Sequence, residues 1–268
     1  MEFLSLLAGT VWLRPYVFIY LVLFLFLASR QIGWSRTLLW TVTGYGLALA
    51  AEYGSIHWGV PFGHYYYIDT TRDRELWVAG VPFMDSLSFA FLTYIGFTCA
   101  WQLVAAWRGR QRPLSEGEYR AVRRSGWVLV LGAVITTLMD VVIDPVTLLG
   151  DRWFLGLIYG FTHPGQYFDV PLTNFAGWLL LSAAIIGVNQ LADARLPKAP
   201  DGGRLWRLPY LHLGGFVFFV FVTGFILAVT AWLGEVRLFL SSLTLVLVFL
   251  AVSWRVLSSG GLLRSSVP

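Results

Sequence analysis

The chain has 268 residues, of which 57% are hydrophobic, 17% aromatic and only 13% charged, with a formal net charge of +4. Soluble domains carry roughly 25% charged residues, so this composition, with a mean hydropathy of +0.68, excludes an ordinary soluble protein. The single cysteine, Cys99, excludes a disulfide framework or a cysteine-based metal site within one chain. We therefore expect a single polytopic, all-α integral membrane domain over residues 1–268.

Seven apolar runs approach the length of about 20 helical residues that a bilayer requires. The first run lacks the basic start and the small-residue cleavage site of a signal peptide, so we keep it as a span. Between the fourth and fifth runs, residues 153–161 are too few to cross and predict a short re-entrant or interfacial helix. The seven predicted transmembrane helices cover residues 16–29, 37–56, 82–107, 126–143, 172–190, 210–233 and 236–257.

The positive residues predict the orientation of the chain, because cytoplasmic loops retain Lys and Arg. Most of the 19 such residues fall on one side of the predicted spans. This asymmetry predicts a multi-pass protein of the cell (inner) membrane with its N-terminus outside and its C-terminus in the cytoplasm. The basic loops favour contact with anionic lipid over binding of nucleic acid. Most acidic residues lie on the outer side, where we therefore expect a site to open.

Three acidic residues inside apolar sequence are the candidate catalytic residues, because a charge at bilayer depth is costly. Glu52 is the only acid of the second span. Asp140 and Asp144 are one helical turn apart, so both lie on one face. Pro145 predicts that this helix ends at Asp144. At a helix C-terminus the dipole, mutual repulsion and low polarity favour the protonated form of at least one carboxyl group, which a general acid needs.

Other polar and aromatic residues near the outer ends of the spans are candidates for positioning substrate or water. Asp85 follows a proline at the start of the third span, where capping of the helix and a catalytic role are both open. Tyr65, Tyr66 and Tyr67 belong either to an interfacial aromatic belt or to a surface that contacts substrate. The remaining candidates for this role are Asp169, Asn174, His57, His163, Trp58, Tyr167 and Trp178.

Two short patterns occur twice in the chain. YGxxHxG is found at residues 53–59 and 159–165, and VPxx followed by Asp or Asn is found at residues 81–85 and 170–174. Each copy lies between two spans. We therefore hypothesise that spans two and three and spans four and five are related pairs whose outer loops face each other over one pocket, with chance resemblance as the alternative.

Several other classes of membrane protein are disfavoured by missing residues. The only lysine, Lys198, lies in a predicted loop, so a retinal Schiff base within the membrane is excluded. Four histidines are too few for the histidine-rich di-iron desaturases and hydroxylases. A metal site from His57, His64 and His163 with an acid lacks the tight spacing of metal ligands, so we expect no metal.

A proton-coupled transporter is the main alternative from another class. Such a protein could use Glu52, Asp140 and Asp144 as a proton relay. Transporters typically place acids at the bilayer midplane in broken helices. Here the acids are concentrated at one end of the spans, which favours an enzyme.

A set of linked motifs resembles one family of membrane enzymes. The motifs are Glu52 followed by YGxxxxG, PFGHYYY at residues 61–67, GVP at 80–82, DVVIDP at 140–145 and YFDVPLxNFxGW at 167–178. Together they are similar to the membrane-integral carotenoid 1′,2′-hydratases of the CruF type, over roughly residues 41–190. Residues 191–268 are expected to form scaffold helices and a cytoplasmic tail.

The resemblance implies an enzyme of carotenoid biosynthesis that needs no cofactor. Its reaction adds water across the terminal C1′=C2′ double bond of an acyclic carotenoid end, as in γ-carotene, lycopene or bisanhydrobacterioruberin, through a tertiary carbocation. The expected partners are the lipophilic carotenoid, water, membrane lipid and other enzymes of the pathway. A proton-initiated carotenoid cyclase would share the acid and the cation but must exclude water, and it stays open as an alternative.

Overall fold

A computed structural model describes residues 2–110, 114–196 and 211–259 of the chain. The predicted loop position of Lys198 and the predicted start of the sixth span at residue 210 lie outside the described residues. The described helices are α1 (Glu2–Leu13), α2 (Pro15–Gln31), α3 (Trp34–Trp58), α4 (Phe83–Arg108), α5 (Glu116–Val122), α6 (Gly126–Thr147), α7 (Leu172–Arg195), α8 (Gly214–Trp232) and α9 (Val236–Ser259).

Four short strands lie in the two longest connections of the described chain. They are β1 (Tyr65–Tyr67), β2 (Trp77–Val78), β3 (Val81–Pro82) and β4 (Tyr159–Phe161). β1 pairs antiparallel with β4, and β2 pairs antiparallel with β3. The β1–β4 pair joins the α3–α4 connection to the α6–α7 connection, so the ends of these four helices meet at what we call the strand-bearing end.

The architecture is the predicted all-α membrane fold. Every predicted span coincides with one of the helices α2, α3, α4, α6, α7, α8 or α9. In the described residues, five helices are long and apolar enough to cross a membrane, and α1 with α2, bent by 91°, could provide a sixth. The 25-residue helix α3 is not among them. The predicted count of seven spans is therefore not confirmed.

The helix that contains Asp140 and Asp144 is longer than predicted. α6 continues through Pro145 to Thr147, so the prediction that it ends at Asp144 is wrong. Proline lacks the N–H that would bond one turn back, but helices within a membrane tolerate this loss where neighbouring groups compensate. The final turn closes on the Asp144 carbonyl, which accepts from the Thr147 hydroxyl at 2.7 Å and from the Leu148 N–H at 3.1 Å.

The prediction of a short helix at residues 153–161, between the fourth and fifth spans, is also wrong. Residues 153–161 form a turn followed by strand β4, preceded by a short 3-10 helix at Gly150–Arg152. Gly156 takes a left-handed backbone conformation (φ 73°) that breaks helical geometry. The Ile158 carbonyl then accepts from the Ile68 N–H at 2.8 Å, which extends the β1–β4 pairing. Pairing with a distant strand thus replaces the local helix.

Two short helices were missed by reading for spans. α5 begins with a capping box, in which Ser115 and Glu118 each accept from the backbone N–H of the other, and this S-x-x-E pattern could have been found in the sequence. α1 meets α2 at the 91° bend beside Arg14.

The centre of the bundle is α4, which packs against α2, α3, α6, α7, α8 and α9. α4 and α6 cross closely because both carry small residues at the contact. A Cβ on Gly96 would lie 2.2 Å from the Thr136 hydroxyl oxygen and 2.4 Å from the Gly132 carbonyl oxygen. Small residues at such crossings allow backbones in a membrane to approach each other. The crossing brings the acid-bearing part of α6 close to the start of α4.

Candidate active site

The aspartates of α6 are joined by an asparagine of α7. The Asn174 side-chain amide donates to Asp140 Oδ2 at 3.0 Å and to Asp144 Oδ2 at 2.6 Å. All three residues are buried, with exposed fractions of 1% for Asp140, 8% for Asp144 and 4% for Asn174. The sequence placed the two aspartates on one helix face, and the structure adds the group that bridges them.

The other oxygen of Asp140 has a distinct environment. Asp140 Oδ1 is buried and has no hydrogen-bond partner among the described residues. Asp140 Oδ2 and Asp144 Oδ2 accept from the same nitrogen of Asn174, so the two carboxyl groups lie side by side. Two buried carboxyl groups this close repel each other when both are ionised, which favours a state in which one of them carries a proton. The arrangement therefore suits a pair of carboxyl groups that holds one proton, with one oxygen of Asp140 left without a partner among the described residues.

A second pair of acids comes from α3 and α4. Glu52 is 2% exposed and accepts a hydrogen bond from the Ser86 hydroxyl. Asp85 accepts from the Tyr67 hydroxyl at 2.6 Å. Asp85 is the third residue of α4, the N-cap position is Pro82, and no side-chain cap forms there. Of the two roles left open for Asp85, helix capping is therefore not supported.

Three tyrosines lie between the two pairs of acids. The rings of Tyr65 and Tyr67 are 5.3 Å apart, and each contacts the ring of Tyr159, at 5.9 and 6.4 Å. Tyr159 faces Tyr67 across the β1–β4 pair and shares a 2.7 Å hydrogen bond with the Thr147 hydroxyl at the end of α6. The strand pairing thus brings both predicted halves of the site together.

The three tyrosine hydroxyls stay protonated at pH values above those at which a tyrosine normally ionises. Burial and the nearby Asp85 carboxylate raise the pKa of Tyr67 well above its ordinary value. Burial and Glu52 raise the pKa of Tyr65, and burial and Asp144 raise the pKa of Tyr159. Each phenol is therefore available as a hydrogen-bond donor to the acids that surround it.

No cation neutralises these acids. Among the described residues, none of Glu52, Asp85, Asp140 and Asp144 forms a salt bridge. Arg14 lies close enough for its charge to act on Asp85, but its guanidinium pairs with Glu75. The carboxyl groups are instead surrounded by amide, hydroxyl and phenol groups, which permit a proton to stay on an acid.

Five of the predicted positioning residues lie at the surface. In the described part of the chain, no hydrogen bond links their side chains to the four buried acids. His57 stacks on Tyr53, with ring centroids 4.0 Å apart, near the end of α3. The exposed residues are His57, Trp58, Tyr66, His163 and Asp169.

Two predicted aromatic residues are packed inside. Trp178 lies one turn after Asn174 and stacks on Phe89, with centroids 4.1 Å apart and planes at 15°. It is 8% exposed and lies beside the asparagine-bridged acids on the same face of α7. Tyr167 contacts Phe175 at 5.8 Å, and its buried hydroxyl has no partner among the described residues. Trp178 is thus the better placed of the two to contact a bound hydrocarbon.

The hypothesis of related helix pairs is supported only in part. Residues 53–58 end helix α3, whereas residues 159–161 form β4, so the YGxxHxG copies have different structures. The other pattern is consistent, because Asp85 and Asn174 are each the third residue of their helix. The two connections do face each other, but Thr162 donates its N–H to the carbonyl of His64 at 3.2 Å. His64, not His57, therefore lies beside the second loop.

The described residues contain no group of three or more His, Cys, Asp and Glu side chains placed to hold a metal ion. Three contributors to the site were missed in the sequence. Ser86, Thr147 and Tyr159 gave no signal of a role in the site, because each depends on a contact between separate elements of the fold.

The fold and the site define a helical membrane protein with a cluster of buried carboxyl groups at one end of its bundle, where no cation of the described residues pairs with them. The chain matches the family of carotenoid biosynthesis proteins over residues 6–249, and it belongs to that family. The match is longer than the motif-bearing stretch of residues 41–190. No curated protein and no solved structure matches the chain.

Proposed function

We propose that this protein is a carotenoid 1′,2′-hydratase, which adds water across the terminal C1′=C2′ double bond of an acyclic carotenoid end. The observation that carries the proposal is the pair Asp140 and Asp144, buried, bridged by Asn174 and without a cation among the described residues. Protonation of an unactivated alkene requires an acid in a dry, apolar setting. Membership of the carotenoid biosynthesis family supports a polyene as the substrate.

Asp140 is the proposed proton donor. Its Oδ1 has no partner among the described residues, so a proton held there can face the double bond of a reactant. The O–H bond of Asp140 breaks and a C–H bond forms at C2′, which leaves a tertiary cation at C1′. The faces of Tyr65, Tyr67 and Trp178 can stabilise this cation.

Asp144 is the proposed base that completes the hydration. The oxygen of water forms a bond to C1′, and a proton of that water passes to Asp144. Asp144 and Asp140 accept from the same Asn174 nitrogen, so the proton can return from Asp144 to the neighbouring donor and the resting state is restored without a cofactor. Glu52 is the second candidate base, and Asp85 and Asn174 orient the water.

The polyene would lie among the apolar helices with only its reacting end at the acids. With the N-terminus outside, as the basic loops predict, the strand-bearing end lies in the outer leaflet. Which carotenoid reacts, and whether one or both of its ends react, follow from the products of the assay below.

The test is expression in a host that accumulates lycopene or γ-carotene, followed by mass spectrometry of the pigments. A gain of one water as a tertiary alcohol supports the hydratase. A cyclic isomer of the substrate supports the cyclase instead. Unchanged pigment, with the protein present in the membrane, contradicts both and leaves the proton-coupled transporter.

A further inference from the structure

A buried ion pair lies next to the acid cluster, at the bend between α1 and α2. Arg14 is 3% exposed and Glu75 is 0% exposed. The guanidinium donates from Nε to Glu75 Oε2 at 3.3 Å and from Nη2 to Oε1 at 3.2 Å. Burying two charges is costly, and apolar side chains of similar size often stabilise a fold equally well. Stability alone is therefore a weak reason for this pair.

The pair joins three separate parts of the chain. Arg14 also donates to the carbonyl of Leu155 in the α6–α7 connection. Glu75, in the α3–α4 connection, accepts from the hydroxyl of Thr71. The Thr10 hydroxyl of α1 accepts from the N–H of Leu76 at 2.8 Å. One guanidinium thus holds the N-terminal bend to both connections at the strand-bearing end.

Both connections lead directly into the strands that carry the site tyrosines. Glu75 lies eight residues after Tyr67, whose hydroxyl donates to Asp85. Leu155 lies four residues before Tyr159, whose hydroxyl contacts Thr147. A displacement of either connection would therefore move a tyrosine away from the acids that it contacts.

We propose that Arg14 is a positioning residue: together with Glu75 it holds both connections over the carboxyl groups and limits the access of bulk water to them. This inference rests on the proposed hydratase, because a carbocation that meets one placed water gives a single alcohol. Arg14 touches neither Asp140 nor Asp144 in any described contact, so it acts through the tyrosine-bearing strands.

The first measurement is chemical labelling, which needs no turnover. Ser86→Cys places a thiol under the strands, at a position that is 0% exposed beside Glu52. The natural Cys99 is also buried, so the chain without the new cysteine serves as the baseline. A membrane-impermeant maleimide is applied to opened membranes, which exposes both faces of the bilayer.

The key variant replaces both charges, Arg14→Met with Glu75→Met. Because no lone buried charge remains, this variant is expected to insert and fold. We expect maleimide labelling at Ser86→Cys to be about tenfold faster than in the parent, since local opening controls access to a buried thiol. Arg14→Lys keeps the charge but cannot span both partners, so it should give an intermediate rate.

A matched control exists at the same end of the bundle. Arg152 pairs with Glu235 and donates to the Leu233 carbonyl at 2.9 Å, so like Arg14 it binds one glutamate and one leucine carbonyl. The side chains of Arg152 and Glu235 are partly exposed, whereas those of Arg14 and Glu75 are buried. Arg152→Met with Glu235→Met should leave the labelling rate at Ser86→Cys unchanged. Acceleration in this control equal to that in the Arg14 variant would overturn the proposal.

The second measurement is the product mixture in the pigment assay, without the reporter cysteine. The Arg14→Met, Glu75→Met variant should give less tertiary alcohol per folded molecule, because displaced tyrosines and bulk water around the acids weaken proton transfer to the alkene, and Arg14→Lys should restore part of it. Parental labelling rates together with parental products in both variants would overturn the proposal. Unchanged pigment with the native chain would contradict the proposed hydratase activity but not the positioning role of Arg14, because the labelling experiment tests that role without turnover.

Discussion

The two ends of helix α7 hold aspartates with little exposure to solvent in opposite ways. At its start, Asn174 donates to Asp140 and Asp144, with no cation among the described residues. Near its end, Asp193 accepts from Arg36 and from Arg123, whose Nε and Nη2 atoms donate at 2.9 and 2.8 Å. Both sites are largely shielded from solvent.

The difference separates an acid that holds helices together from acids that can exchange a proton. A carboxylate paired with guanidinium groups stays ionised, so Asp193 fastens α7 to α3 and to the start of α6 but cannot act as a proton donor. Carboxyl groups that meet only amide and hydroxyl groups can hold a proton and release it to a reactant. Burial alone therefore does not identify a catalytic acid, whereas the partners do.

The largest expected effect comes from replacing the proposed proton donor. Asp140→Asn preserves the shape of the side chain but removes the acidic carboxyl group, so the amount of hydrated carotenoid should fall by about 100-fold or more. The measurement is product per membrane-inserted protein in the pigment assay. Asp144→Asn should lose a similar amount, because the pair acts as a unit.

The matched control for these variants is Asp151→Asn, at an exposed position in the α6–α7 connection. It should retain product within about twofold, as expected for a surface acid. Near-parental product from both Asp140→Asn and Asp144→Asn would contradict the proposed mechanism.

Asp193→Asn should lower the stability of the protein but leave its activity almost unchanged. Removing this acid weakens the contacts of Arg36 and Arg123 with α7 and should lower the free energy of unfolding by roughly 2 kcal/mol. Product per folded molecule should stay close to the parental value. Thermal unfolding in detergent, measured alongside the pigment assay, separates the effect on stability from the effect on activity. A loss of product without a loss of stability would contradict the structural role given to Asp193.

Asn174→Leu tests the bridge between the aspartates. Without the amide, the two carboxyl groups lose the donor that fixes their geometry, so hydrated product should fall by about tenfold. Asn189→Leu is the control on the same helix, since Asn189 donates to Thr43 at 2.8 Å in the other half of the bundle. Equal losses from the two variants would indicate a packing effect rather than a role in the site.

The smallest predicted effect distinguishes two adjacent tyrosines of β1. Tyr67→Phe removes the donor to Asp85 and should lower product about fivefold, the effect of one lost hydrogen bond of roughly 1 kcal/mol. Tyr66 is 53% exposed on the other side of the strand, and Tyr66→Phe should leave product almost unchanged. Product analysis of the two variants at equal expression decides between them.

The helices and one half of the site could be predicted because their signals are local. Apolar runs predicted the positions of α2, α3, α4, α6, α7, α8 and α9, and a spacing of four predicted that Asp140 and Asp144 share a face. Local rules failed at Pro145, where the surrounding bundle stabilises a helix that the proline rule would end.

The connections were harder to predict than the helices. The apolar run at residues 153–161 could form a helix or a strand, and only the partner strand β1 decides between them. Arg14 and Glu75 were not singled out in the sequence, although both are buried. Nothing in their sequence neighbourhoods indicates a partner so distant in the chain.

The sequence by itself determined that this is a helical membrane protein, where most of its helices lie, and that acidic residues crowd one end of them. Hydropathy and helical spacing are sufficient for this, because each depends on neighbours within a few turns. Only the tertiary structure decided which acids are close together, that Asn174 bridges two of them, and that the β1–β4 pair places three tyrosines between the acid pairs. These contacts depend on how closely α4 and α6 cross and on pairing between remote strands, and no local pattern encodes either.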